Sequence, residues 1–235
     1  MVFEFIKTFV DDIQKKALEK QEKLNNYVNS IDDEIVKKSS FIPIKRGGTN
    51  IKSHDLIIDN NGNYLFKVKG FFPIVFLAMF SIPLIATIIT LLKDLSVGGL
   101  NIDFGSYIGQ IIFSLLFLTP ALILFYFLYR SYIFDFQNGY FYDTRLGKKL
   151  FELLNNEKYK TKIIPIKEIH SLQIVSERVH GKNTSYTSYE LNIILKDSSR
   201  VNIIDHGNLE EIRKNASELS AKLGVKVYDL TSIYV

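Results

Sequence analysis

The chain has no cysteine. That one absence removes disulfides, thiolate nucleophiles and cysteine-held metals. The short signatures of common catalytic sites are missing too. The four histidines, His54, His170, His180 and His206, never fall at the two-histidine helical spacing of zinc hydrolases. No Gly-x-Ser-x-Gly elbow occurs, and no dinucleotide-type glycine pattern follows a strand. Residues 43–50 (PIKRGGTN) form a basic, glycine-containing stretch, but lack the spaced Gly and Gly-Lys-Ser/Thr of a phosphate loop; they read as a positively charged turn. Asp205-His206 reads as a loop pair at a helix start, and Asp32-Asp33-Glu34 as part of a solvated helix face. We therefore expect no enzyme: no catalytic residue, no cofactor and no metal site. No dense Lys/Arg run occurs either. The net charge of +4 thus points to positive membrane flanks rather than to nucleic acid.

Charge is also absent from two long runs, and these organise the rest of the sequence. Residues 71–92 and 108–129 are largely apolar with no charged side chain, each about 22 residues long, enough for a helix to cross a hydrocarbon core of about 30 Å. The hydrophobic share of 47% and mean hydropathy of +0.08 are slightly high for a soluble protein, and the two runs hold the excess. Pro73 sits in a first helical turn, while Pro83 and Pro120 fall mid-helix, where bilayer helices tolerate them. Lys45, Arg46, Lys52, Lys67 and Lys69 precede the first run, and Arg130, Arg145, Lys148 and Lys149 follow the second. Between the runs stands only Lys93, so both termini are expected in the cytoplasm of a multi-pass inner-membrane protein.

Around the runs, the sequence divides into four segments. Residues 1–40 carry Ile6, Val10, Ile13, Ala17, Leu24, Val28, Ile31 and Ile35 at steps of three, four or seven, the stripe of one long amphipathic helix. It can pack on the protein, lie on a membrane, or join copies of the chain as a coiled-coil arm. The mixed signs on its polar face argue against the membrane surface. A signal peptide is not expected there, because Glu4, Lys7, Asp11 and Asp12 interrupt any apolar core. Residues 41–70 hold the basic loop and a hairpin around Asn60-Asn61-Gly62-Asn63; residues 71–129 are the transmembrane hairpin.

Residues 130–235 open on a second hairpin around Gln137-Asn138-Gly139, followed by a loop-like stretch at 146–161 with a helical turn at 150–154. Strands at 169–179, 189–196 and 200–205 come next. Tyr189, Leu191, Ile193 and Leu195 alternate with Glu190, Asn192 and Lys196, the pattern of a strand with one solvated face. A final helix has Asn208 as cap, Glu211 in capping-box position, an apolar face of Leu209, Ile212, Ala216, Leu219 and Leu223, and Gly224 as its stop. The fold class is thus an α+β membrane protein. About seven strands before one C-terminal helix make the pleckstrin-homology-like layout, an analogy that carries no ligand.

Residues 169–177 (IHSLQIVSE), 185–197 (SYTSYELNIILKD) and 200–208 (RVNIIDHGN), the phrase Leu223-Gly224-Val225, and residues 44–54 (IKRGGTNIKSH) resemble a family of uncharacterised bacterial two-pass inner-membrane proteins. The resemblance covers roughly residues 43–229 and implies fold and location, without any activity or catalytic residue.

The most suggestive surface is residues 176–189 (SERVHGKNTSYTSY), whose mixture of Tyr, Ser, Asn and Gly is the one binding loops use. Arg178, His180, Lys182, Tyr186 and Tyr189 are its candidate partner-binding residues, with residues 181–187 as a polar tip. The expected function is a two-pass membrane protein presenting a cytoplasmic binding or scaffolding module to a protein partner. The alternatives are an immunity or stress-protection protein acting through its membrane helices, or an accessory subunit of a transporter or enzyme.

Overall fold

The computed structural model describes residues 2–69, 71–96, 104–128, 131–144, 163–181 and 184–233. The expected helical turn at 150–154 lies outside them. The chain divides into two compact units: Met1–Phe66 together with Tyr132–Val235, and Lys67–Ser131.

The second unit is a helical hairpin. Its helices are α3 (Phe71–Ser96) and α4 (Phe104–Leu128); α1 (Val2–Ser30) and α2 (Glu34–Lys38) belong to the first unit. Leu77–Ser96 and Gly105–Ile123 are long and apolar enough to cross a membrane. Large apolar side chains such as Met79, Ile82, Ile89, Ile112 and Leu116 point outward, while Thr87, Ser114 and Ala121 are buried. Small residues let two helices approach closely. The Thr87 and Ser114 hydroxyls donate to the carbonyls of Pro83 and Gln110 within their own helices.

The first unit is α+β. Strands β1 (His54–Ile58), β2 (Tyr64–Val68), β3 (Tyr132–Asp135), β4 (Tyr140–Asp143) and β5 (Ile163–Pro165) form one sheet in that order. The second sheet has the order β8-β7-β6-β9, with β6 (Ile169–His180), β7 (Ser185–Leu195), β8 (Arg200–His206) and β9 (Lys226–Asp229); β9 runs parallel to β6 and the other pairs are antiparallel. Both turn readings hold: Gly62 and Gly139 have φ of 76° and 77°. Asp59 and Asp135 carboxylates tie down the turns, accepting from the amides of Asn61 and Asn63 and of Asn138. The three-residue β5 has no sequence signature of its own. It exists because Phe141 and Ile164 pair across it.

Helix α5 (Leu209–Leu223) closes the main core. The Asn208 side chain accepts from the amide of Glu211, and Gly224 ends the helix at φ 69°, ψ 30°, the left-handed position. Ile212, Ala216 and Leu219 meet residues from both sheets, including Phe66, Phe134, Leu172, Ile174, Leu191 and Ile193.

Two expectations need correction. The N-terminal stripe is not one helix over residues 1–40. Helix α1 spans Val2–Ser30, and a separate short α2 spans Glu34–Lys38. The break arises at Asp33, whose carboxylate leaves the helical path to accept the amides of Ile35 and Val36. The same carboxylate meets His170 Nε2 at 2.8 Å and the Tyr228 hydroxyl at 3.0 Å, so Asp33 is a half-buried cap rather than part of a solvated face. Desolvation opposes its charge, yet the bonds from His170, Val36 and Tyr228 outweigh it and hold the carboxyl below its ordinary range. Second, the polar tip is shorter than residues 181–187. Ser185–Thr187 belong to β7 and pair with residues 178–180, and the turn closes where the Gly181 amide donates to the Thr184 carbonyl.

Candidate functional site

The second sheet is the part of the first unit where most polar chemistry collects. Successive side chains of a strand point to opposite faces. On β6 and β7, Leu172, Ile174, Leu191 and Ile193 face the main core. The opposite face carries Gln173, Glu177, Ser188, Glu190 and Asn192, and alternation alone would give it to water. It is instead buried: Gln173, Glu190 and Asn192 are 0%, 2% and 0% exposed.

What covers it is the basic stretch. Residues 40–49 cross the sheet as a strap without regular secondary structure. Backbone groups removed from water need partners, and a strap has no ladder to supply them. The sheet's side chains take that role. The Glu190 carboxylate accepts from the amides of Ile44 at 2.9 Å and Lys45 at 2.7 Å. Glu177 accepts from Gly47 and Gly48, and Asp205 from Thr49. In return, the strap carbonyls of Ser40, Ile42, Gly48 and Thr49 accept from Gln173, Arg200, Tyr186 and Ser188. A polar ladder runs on behind: Asn202 donates to Asn192, which donates to Glu190. The amides that a phosphate would seek in a basic glycine loop are thus already held by three carboxylates of the same unit.

Two glycines make the crossing possible. A Cβ on Gly48 would strike the Ser188 hydroxyl, and one on Gly207 would lie 2.6 Å from the Asn50 carbonyl oxygen and 2.8 Å from its Cα. Backbone passes directly over backbone there.

The candidate partner-binding residues do not form one patch. Arg178 and His180 are exposed near the end of β6. Arg178 donates to the hydroxyls of Ser185 at 2.7 Å and Thr187 at 3.4 Å on β7. Tyr189 lies on the same face but is half-buried against the main core. Tyr186 is on the opposite face, half-buried, with its hydroxyl on the Gly48 carbonyl at 2.8 Å. Lys182 lies outside the described residues. Sequence reasoning passed over Glu177 and Glu190, whose only signal was acidic side chains inside β-forming runs, and it read Asp205 as half of a loop pair with His206, whereas both belong to β8.

His206 ends β8 fully buried, at 0% exposure. Its Nδ1 accepts from the Asn208 amide at 3.1 Å, and its Nε2 has no hydrogen-bond partner among the described residues. Burial, aided by the Lys52 charge, pushes its pKa down to about 4 from the ordinary 6.5. A histidine kept neutral by the fold takes a proton more readily when unfolded. Its contribution is fully present above about pH 6.5 and is lost as pH falls towards 4. We expect unfolding in detergent to show a loss of about 1–2 kcal/mol between pH 6.5 and 5 that is missing in His206→Gln. Equal pH profiles for the two proteins would exclude His206 as the cause.

The helical hairpin also bears an open pocket of about 260 Å³, lined by Met79, Phe80, Pro83 and Phe117. Among the described residues no group of three or more His, Asp and Glu is arranged to hold a metal ion. Compared with family models, curated proteins and solved structures, the chain matches none.

Proposed function

We propose that this chain is a membrane-anchored binding module: a two-pass inner-membrane protein whose first unit, pleckstrin-homology-like in layout, faces the cytoplasm and holds a protein partner. The observation that carries the reading is the outward apolar surface of α3 and α4. Exposing side chains such as Ile82, Ile85, Ile89, Ile112 and Leu116 to water is unfavourable by roughly 25 cal/mol per Å², whereas hydrocarbon accepts them. Support for the layout comes from the antiparallel sheets followed by α5; β9 and the strap are additions to it. The resemblance to bacterial two-pass inner-membrane proteins points the same way. Arg178 and His180, exposed beside the tip, are the proposed contact residues.

Reporters that work only in the cytoplasm are expected to be active after Val235 and inactive near Gly99. Replacing residues 181–184 with Asn-Gly, or Arg178 with Ala, is expected to shift stability by no more than about 0.5 kcal/mol while weakening capture of the partner. An unchanged partner set would move the contact surface elsewhere. The pocket beside Pro83 favours a second reading, in which the membrane helices themselves act, as in an immunity protein. Exchanging both spans for unrelated apolar helices separates the two: the module reading expects function to persist, the second expects its loss.

A further inference from the structure

Helix α1 carries one apolar stripe along its length, and only the C-terminal third of that stripe is covered. Leu24, Tyr27 and Val28 pack on the small core of Ile31, Val36, Phe41, Val175, Ile194 and Leu230. Further towards the N-terminus the same stripe has no cover among the described residues: Ile6, Val10 and Ile13 are 51%, 42% and 51% exposed, and Phe9 at its border 58%. Residues 6–23 are exposed throughout.

The charges beside this stripe are sorted. At about 100° per residue, Lys7, Lys16, Lys20 and Lys23 fall within roughly 100° of the stripe's centre. Glu4, Asp11, Asp12, Glu19 and Glu22 all fall roughly 120° or more away, together with Lys15. Counting both signs over the whole polar face hides this. The flanks of the stripe are basic and the acids occupy the back, from which Asp12 reaches Lys16 at 2.6 Å.

We infer that the exposed part of α1 lies along an anionic bilayer surface, with Ile6, Phe9, Val10 and Ile13 in the headgroup boundary and the flanking lysines against lipid phosphates. Lysine stems cover apolar surface while their ammonium heads reach the charged layer, which suits this geometry. A second copy of the chain fits less well. The uncovered stripe spans only about two heptads, short of the three to four that sustain a coiled coil. Its flanking positions would also set Lys and Gln against Lys and Gln, with no acid to pair. The inference rests on the bilayer-anchored reading above.

The absence of cysteine makes the test clean. Single variants Ile13→Cys, Lys15→Cys and Ile85→Cys of the full chain would carry an environment-sensitive fluorophore in lipid nanodiscs, with acrylamide as quencher. In discs with about one-third anionic lipid, the label at Ile13→Cys is expected to shift to the blue and be quenched several-fold less than at Lys15→Cys. Purely zwitterionic discs, or Lys16→Glu combined with Lys20→Glu, should remove most of the difference. Equal quenching at the two positions in anionic discs overturns the inference. So does protection at Ile13→Cys that ignores lipid charge and comes with energy transfer between copies labelled with donor and acceptor dyes, the mark of a second chain. The label at Ile85→Cys reports the anchor itself: shielded there but water-exposed at Ile13→Cys, the surface inference alone fails; water-exposed at Ile85→Cys, the anchored reading fails.

Discussion

Glu190→Ala is expected to destabilise the first unit by about 3–5 kcal/mol and to release the strap. The carboxylate is 2% exposed and accepts three hydrogen bonds, from the amides of Ile44 and Lys45 and from the Asn192 side chain. Removing it leaves three donors without an acceptor. A buried donor stranded in this way costs about 1–3 kcal/mol, less where water can reach it along the strap. Glu190→Gln keeps one carbonyl acceptor and is expected to lose about half as much. Denaturant titration of the full chain in detergent reads the global effect. Limited trypsin digestion reads the local one, because Lys45 and Arg46 already have exposed side chains while the strap's backbone is held. Faster cleavage after these residues in Glu190→Ala is the expected result. Unchanged cleavage and unchanged stability together would show that Glu190 does not hold the strap.

The second large effect is expected at Gly207. An alanine there would put its Cβ 2.6 Å from the Asn50 carbonyl oxygen and 3.0 Å from its carbonyl carbon. These are backbone atoms, which cannot swing aside as a side-chain tip does. Either the strap lifts or β8 shifts, at about 2–3 kcal/mol by the usual penalty of forcing extra volume into a packed site. Gly47→Ala is the control. Gly47 has φ 75° and nothing within 4 Å of an added Cβ, so its loss is limited to backbone strain of about 1–2 kcal/mol. A thermal melt ranking Gly207→Ala above Gly47→Ala in damage supports the close crossing; the reverse order would place the strap further from β8.

Much of the local structure is legible from residue order because it rests on short-range physics. The hairpin turns at Gly62 and Gly139 need positive φ, and the flanking residues are β-formers. The Asn208 cap, the apolar face of α5 and Gly224 lie within one another's reach along the chain. The two apolar runs likewise declare two long helices by composition alone. The β5 strand stayed hidden because three residues carry no period, and only its partner β4 makes it a strand.

The candidate site was legible only in part. Alternation correctly put Leu191 and Ile193 on a buried face, but it assigned Glu190 and Asn192 to water. Period-two reasoning knows two faces and cannot know what covers the second one. The cover comes from residues 40–49, far away in sequence, and their backbone amides make a carboxylate at position 190 a suitable buried partner. Tyr186 likewise was a candidate partner-binding residue in a polar tip, whereas it is half-buried and its hydroxyl donates to the Gly48 carbonyl. Residue order by itself therefore determined the turns, caps, long apolar helices and apolar faces, where the cause lies within a few residues. Tertiary structure alone decided which polar face was buried and which basic loop was occupied. Satisfying a backbone group depends on whatever chain crosses it in space, and no local pattern records that crossing.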